Sequence, residues 1–198
     1  MGRPSAKERK PYNMDAIVDV AVQVFLRHGY DGASLDQVAE AAGITKASIY
    51  YHAEGKEALL KHGAGRALDA LFAVLEEPAA LEGRPLDRFK HVVRRTIEIT
   101  VKRLPEVALL LRVRGNTETE RWALEQRRAF DARVAAIVRE AVEQGQVRGD
   151  VDPALAARLL SGLVNSVVEW FRPGRPGAAR LPDEVARAAF EGILPAAT

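Results

Sequence analysis

Cysteine is absent from the sequence. Its absence excludes disulfide bonds, thiol-based redox sensing and thiolate metal sites, and it fits the cytoplasmic location that we expect. Long hydrophobic runs are absent too, since no stretch approaches the ~18 uninterrupted apolar residues of a membrane span. No export signal is visible at residues 1–4, and we expect no membrane partner.

Groups that commonly carry catalysis are also scarce. The histidines are His28, His52, His62 and His91, and no two of them stand at a metal-ligand spacing with a carboxylate. No histidine is paired with an evident nucleophile, and no glycine-rich phosphate loop leads from a strand into a helix. We therefore predict that the protein is not an enzyme and that it holds no metal or other cofactor.

Basic charge is modest and local. The formal net charge is +2, and basic and acidic side chains are equally numerous in residues 1–56, so bulk charge does not indicate nucleic-acid binding. In residues 1–10, however, the basic side chains outnumber the acidic one: Arg3, Lys7, Arg9 and Lys10 against Glu8. We interpret this segment as a basic arm that follows DNA phosphates or reaches a minor groove, with an unbound, solvated tail as the alternative.

Residues 34–52 are the most informative part of the chain, because they predict two short helices joined by a sharp turn. A capping box beginning at Ser34 starts the first helix, which ends at Gly43, where the chain must turn. Thr45 then caps a second helix, Lys46 to about His52, with a small, polar surface. This is the pattern of a helix-turn-helix, whose second helix enters the major groove of DNA.

An amphipathic helix precedes this motif, between a cap at Asn13 or Asp15 and an end at Gly29. We expect it to supply the hydrophobic back of a three-helix DNA-binding domain over residues 11–56. Residues 57–198 are predicted to form a second, larger helical domain. The fold class is therefore all-α, with about nine helices.

Four runs carry a family resemblance: residues 21–30, 34–43, 48–52 and 55–60. Together they resemble the DNA-binding domain of the TetR family of bacterial transcriptional regulators. One position departs from the family pattern, because an aromatic residue usually follows the histidine and Ala53 stands there instead. The departure bears on the packing between the recognition helix and the next helix, and it leaves the predicted fold unchanged.

The resemblance also implies which residues contact double-stranded DNA. Tyr50 and Lys56 would hold phosphates that flank the recognition helix, while Lys46, Ser48 and Tyr51 would face the groove. The full set of expected DNA contacts comprises Ser34, Thr45, Lys46, Ala47, Ser48, Tyr50, Tyr51, His52 and Lys56.

Beyond residue 56 the pattern changes to longer amphipathic helices. They are predicted at about 57–75, 85–102, 105–113, 118–144, 153–171 and 183–194, with residues 76–85 and 172–182 as connections. The last two have apolar faces wider than one core needs, which favours a four-helix interface with a second copy over a purely intramolecular core. The expected homodimer contacts are Leu159, Leu163, Val167, Phe171 and Phe190.

The segment 149–174, which ends in Trp170-Phe-Arg-Pro-Gly174, resembles the C-terminal domains of TetR-type repressors of fatty-acid, steroid and aromatic-acid degradation. Those regulators respond to acyl-coenzyme A (acyl-CoA) thioesters, so the resemblance implies such an effector. We expect its acyl group to enter between the helices at 105–113, 118–144 and 153–171, with arginines at the mouth for the phosphates. The expected ligand residues are Leu110, Arg112, Arg114, Trp122, Phe130, Trp170, Arg172 and Arg175.

The resulting hypothesis is a repressor that an acyl-CoA releases from a pseudo-palindromic operator, controlling a catabolic gene cluster. Two alternatives stay open: a TetR-type regulator of an efflux or stress gene that senses a hydrophobic drug, and a helical adaptor that does not bind DNA. The arginines also have an alternative role, as caps of carbonyl groups or as partners of Glu118, Glu120 and Glu169.

Overall fold

The computed structural model describes residues 13–174 and 178–191. Every secondary-structure element in these residues is a helix. The described residues contain no strand; their elements are α1 Met14–His28, α2 Leu35–Ala42, α3 Lys46–His52, α4 Lys56–Leu75, α5 Pro78–Leu81, α6 Pro85–Lys102, α7 Leu104–Arg112, α8 Glu118–Glu143, α9 Pro153–Trp170, a 3₁₀ turn Ala178–Arg180 and α10 Leu181–Glu191. The prediction of an all-α fold is confirmed. The basic arm at residues 1–10 and Arg175 lie outside the described residues.

Two compact units divide the chain, with the boundary after Gly63. In the first unit, α1 buries one face, including Ile17 and Phe25, and packs against α2, which in turn packs against α3. Gly43 ends α2 in the left-handed conformation, with φ 67° and ψ 30°, and its N–H donates to the carbonyls of Ala39 and Glu40. A side chain other than glycine is strained in that conformation, so Gly43 fixes the sharp turn into α3.

The second unit is a bundle in which α8 packs along α9, and α6 packs against α8, α9 and α10. Phe89 of α6 is fully buried and meets Phe190 of α10 edge-to-face, with ring centroids 5.0 Å apart. The predicted connection at residues 76–85 is partly wrong, because it contains the short helix α5. Pro78 at the first helical position and the buried Ala80 explain that turn of helix.

A buried carboxylate organises the turn between α7 and α8. Glu120 Oε1 accepts from the backbone N–H of Arg114 at 2.9 Å, and Oε2 accepts from those of Asn116 and Thr117 at 2.8 and 3.1 Å. The Thr117 side chain in turn accepts from the Glu120 N–H at 3.3 Å, which completes a capping box. Glu120 therefore pairs with backbone groups and not with an arginine side chain.

None of the helices in the described part of the chain combines the length and the apolar character that a membrane crossing requires.

Candidate DNA interface and internal cavity

Helix α3 presents almost its whole surface to solvent. Ile49 is its one buried side chain, and it anchors the helix to the first unit. Lys46, Ala47 and Tyr50 are exposed, and Tyr51 is 86% exposed although large aromatic side chains are usually buried. A helix held by one core residue, with the rest of its face open, has the form of a recognition element.

Two of the expected contacts outside the recognition helix, Ser34 and Thr45, serve as helix caps. The Ser34 hydroxyl accepts from the Gln37 N–H at 3.2 Å, while Gln37 Oε1 accepts from the Ser34 N–H at 2.8 Å. The Thr45 hydroxyl accepts from the Ser48 N–H at 3.1 Å, and the two hydroxyls lie 2.8 Å apart. These bonds fix where α2 and α3 begin, so they set the angle at which α3 is presented.

Lys46 is paired with a carboxylate on the neighbouring helix. Its ammonium donates to Asp36 Oδ2 at 2.9 Å, and both side chains are largely exposed. The hydrogen bond to Asp36, with the charge of that carboxylate, raises the pKa of the Lys46 ammonium above its ordinary value. An exposed pair of this kind is weak and can exchange for another anion.

Lys56, which the family resemblance assigns to a DNA phosphate, has hydrogen-bond partners within the first unit, and the phosphate contact stays a prediction. Its ammonium donates to the carbonyl oxygens of Tyr30 at 2.8 Å, Ala33 at 3.0 Å and Asp31 at 3.4 Å, and it lies 4.5 Å from the centre of the Tyr30 ring. An ammonium has three protons, and these carbonyls can accept all of them. Lys56 thus ties the start of α4 to the segment between α1 and α2.

We expect Lys56→Met to lower the free energy of unfolding of the protein by about 1–3 kcal/mol, because partly buried carbonyl oxygens lose a charged donor. Lys102→Met, at an exposed position in the last turn of α6, is the matched control and should change it little. Urea denaturation followed by circular dichroism measures both. Equal stability of the two variants would contradict the anchoring role of Lys56.

The second unit contains a small cavity, about 50 Å³ in volume and partly open to solvent, bordered by α4, α6, α7, α8 and α9. Its apolar lining consists of Leu68, Leu71, Val107, Leu110, Leu111, Phe130 and Val164, and its polar lining of Thr96, Thr100, Arg127, Asp131, Ser161 and Asn165. The predicted helices α7, α8 and α9 all contribute, together with α4 and α6, which were not expected. Of the predicted ligand residues, Leu110 and Phe130 line this cavity.

The other expected ligand residues that the structure describes lie outside the cavity lining. Trp170 is 52% exposed at the end of α9, and Arg172 donates to the carbonyls of Glu169 and Phe171. Arg172 is therefore a helix cap, as the alternative interpretation had it. The cavity lining also lacks Trp122, Arg112 and Arg114. Both of these arginines are exposed to solvent.

Sequence reasoning missed the charged pair in the cavity, Arg127 and Asp131. They stand four residues apart on α8, with Phe130 between them in the sequence. Side chains three or four residues apart share one face of a helix, so helical spacing puts both charged residues on the face of Phe130, an expected ligand residue. Burial holds the pKa of the Arg127 guanidinium below its ordinary value, and the nearby Asp131 carboxylate partly offsets that shift.

The predicted dimer contacts divide into two groups. Leu159 is 64% exposed and Leu163 lies on the same face of α9, as does the exposed Leu155. Val167, Phe171 and Phe190 are buried within this chain, so their assignment as contacts with a second copy is wrong. Their apolar character is explained by intramolecular packing, as the Phe89–Phe190 contact illustrates.

Known proteins resemble both units. Residues 17–62 match the family described as bacterial regulatory proteins, tetR family, and residues 82–193 match the tetracyclin repressor-like C-terminal domain. The HTH-type transcriptional repressor KstR2 of Rhodococcus jostii is 27% identical over 161 residues, covering 80% of this chain and 79% of that protein. The crystal structure of SCO3833 from Streptomyces coelicolor A3, a member of the TetR transcriptional regulator family, is 49% identical, with a TM-score of 0.85 and coverage of 98% of this chain and 96% of that one.

Proposed function

Because the chain belongs to the TetR family of bacterial regulatory proteins, we propose that α3 reads operator DNA and that an acyl-CoA thioester bound in the second unit releases it. The protein is a TetR-type DNA-binding repressor, in a family of regulators and not of enzymes. Its targets in this proposal are the genes of a catabolic cluster for fatty acids, steroids or aromatic acids, and it acts in the cytoplasm.

The exposed face of α3 carries the DNA-binding part of the proposal. Its polar and small side chains, Lys46, Ala47, Ser48 and Tyr51, are suited to approach base edges, since the helix has no bulky aliphatic residue on that face. Tyr50 is exposed beside them and can donate to a phosphate oxygen. The His52 ring packs edge-to-face with the Tyr51 ring, with ring centroids 5.1 Å apart, and this contact favours one orientation of the tyrosine.

A pseudo-palindromic operator requires two copies of the chain. Two recognition helices must lie about 34–36 Å apart to enter successive major grooves on one side of the duplex. The row of leucines on α9, Leu155, Leu159 and Leu163, supports a homodimer, because spacing by four places all three on one apolar stripe that faces solvent in a single copy.

Asp36→Asn is expected to strengthen operator binding several-fold. The change removes a negative charge near the DNA-facing surface and releases the Lys46 ammonium for a phosphate or a base edge. The slope of log affinity against log salt should steepen by about 0.9 if the freed ammonium takes a phosphate, and should change little if it takes a base edge. Glu40→Gln, on the same helix and exposed, removes the same charge without freeing a lysine. A gain of equal size and slope in both variants would show that Lys46 takes no part.

Proteins that share the fold support the thioester as effector. AibR, 24% identical with a TM-score of 0.76, has been crystallised with isovaleryl coenzyme A and operator DNA, and it covers 88% of this chain. A putative fatty acid metabolism regulator of Clostridium perfringens is 22% identical, with a TM-score of 0.77. The internal cavity between the helices of the second unit is the site that we propose for the acyl group.

The size of the cavity links binding to release. Its volume of about 50 Å³ is far below the ~300–1,000 Å³ of typical small-molecule sites. An acyl group therefore enters only if the lining helices move apart, so it binds a second conformation more tightly than the one described. A ligand shifts an equilibrium only through such a difference in affinity.

The experiment is a titration of the operator complex, followed by fluorescence anisotropy of labelled DNA. Acyl-CoA esters of increasing chain length are compared with their matched free acids and with a hydrophobic cationic drug. We expect one or more esters to release the DNA at concentrations at which the acids and the drug do not. Equal release by esters and acids, or release by the drug alone, would contradict the thioester effector while leaving operator binding intact.

A further inference from the structure

The cavity of the second unit contains two polar side chains that make no hydrogen bond with the described part of the chain. Arg127 on α8 and Asn165 on α9 both line the cavity, and neither makes a hydrogen bond or an ion pair with the described residues. Both are half-buried, and none of their polar atoms is both fully buried and unsatisfied, so their N–H groups can exchange water for a ligand oxygen. Unpaired donors at a mostly apolar site are the usual means by which such a site recognises one oxygen of a ligand.

The remaining polar groups of the cavity are already engaged. The hydroxyls donate within the protein: Thr96 to the carbonyl of Val92 at 2.7 Å, Thr100 to the carbonyl of Thr96 at 2.8 Å, and Ser161 to Asp131 Oδ1 at 2.8 Å. Arg127 and Asn165 are thus the lining groups whose donors remain available, which limits the position of a ligand oxygen to their neighbourhood.

The negative charge of Asp131 limits the charge that a ligand oxygen bound near Arg127 can carry. It lies one helical turn from Arg127, and Ser161 holds its carboxylate at the cavity wall. The cavity therefore already has one anion for its one cation. A ligand carboxylate bound at Arg127 would add a second negative charge in a partly desolvated site, whereas a neutral carbonyl oxygen adds none.

We propose that Arg127 and Asn165 bind the carbonyl oxygen of a neutral acyl thioester, and that Asp131 discriminates against the matching free acid. The apolar lining, with Leu68, Leu110 and Val164, then receives the acyl chain. This inference rests on the proposed function in that it takes the cavity as the effector site. It adds the atoms that recognise the ligand and the reason for a preference between ester and acid.

The test compares three ligands with the same alkyl chain: an acyl-CoA thioester, the corresponding S-alkyl-CoA thioether, which lacks the carbonyl oxygen, and the free carboxylate. Butyryl and octanoyl sets are used, because the small cavity favours short chains. Dissociation constants are measured by isothermal titration calorimetry on the full-length protein without DNA. Binding is thereby separated from operator release.

In the unsubstituted protein, we expect the thioester to bind about 10-fold more tightly than the thioether, the gain typical of a hydrogen bond from a charged donor. Arg127→Met should bring this ratio close to one while leaving the affinity for the thioether unchanged. Asp131→Asn should raise the affinity for the free acid several-fold, since it removes the opposing charge and keeps an acceptor for Ser161. Arg128→Met, exposed and outside the cavity, is the matched control.

Two results would overturn the inference: an unchanged thioester-to-thioether ratio in Arg127→Met, or no binding of any of these esters to the unsubstituted protein. Unchanged affinity for the free acid in Asp131→Asn would overturn the role of that carboxylate. If the ratios change as expected and the ester nevertheless fails to release operator DNA, the recognition of the carbonyl stands and the proposed regulation is wrong.

Discussion

Leu159→Glu is expected to convert the proposed homodimer into a monomer and to reduce operator affinity by about 100-fold or more. Leu159 is 64% exposed in the single chain, so the substitution leaves the core of the chain intact. In a two-fold interface each substitution occurs twice, and the two carboxylates would face the same apolar seam. A monomer contacts one half-site and loses the coupled contribution of the second.

Light scattering and anisotropy titration of operator DNA measure the two consequences. The matched control is Leu81→Glu, which places the same charge on another exposed leucine, on α5, away from the α9 stripe. It should remain dimeric and bind DNA normally. Loss of the dimer in both variants, or in neither, would place the interface on another surface. Val167→Glu is unsuitable for this test, because Val167 is buried and the charge would disrupt the fold.

Glu120→Ala is expected to lower the free energy of unfolding by about 3 kcal/mol, since three backbone N–H groups lose a charged acceptor. Glu120→Gln should also destabilise the protein, because one of the two accepting oxygens becomes an amide donor directed at another N–H. Glu118→Ala is the control: Glu118 is exposed in the first turn of the same helix, where a carboxylate contributes only ~0.3–1 kcal/mol through the helix dipole.

Thermal and urea denaturation provide the measurement, with the free energies compared at a fixed temperature. Equal losses for Glu118→Ala and Glu120→Ala would show that the buried carboxylate is not what holds the turn between α7 and α8. The position also bears on function, because that turn supports α7, which borders the cavity.

Local sequence signals predicted the DNA-binding elements well. The bounds of α2 and α3 are set by the caps at Ser34 and Thr45 and by Gly43. Each of these acts on residues only a few positions away, so the bounds can be predicted from the sequence. The fold class followed from periodicity in the same way. Missing α5 had a local cause, since proline and glycine at 76–85 suggested a connection without helix.

The contacts that sequence reasoning could not predict are long-range. Lys56 meets carbonyls 23 to 26 residues away, and Ser161 meets Asp131 at a separation of 30 residues. Apolar periodicity on α9 likewise could not distinguish the exposed Leu159 from the buried Val167, because both faces of that helix are apolar. Which face meets the chain's own core depends on how α6 and α8 pack against it.

The most direct test of the central claim, that α3 reads a specific operator, is an anisotropy titration of the DNA upstream of the gene, with a shuffled sequence of equal length as reference. We predict that the protein binds the upstream DNA at least 1,000-fold more tightly than the shuffled DNA at physiological salt, the lower end of specific recognition at about 10³. Lys46→Ala should alter the preferred bases, and Tyr50→Ala should weaken binding evenly across sequences. Equal affinity for both DNAs, unchanged by Lys46→Ala or Tyr50→Ala, would contradict the claim that α3 reads a specific operator.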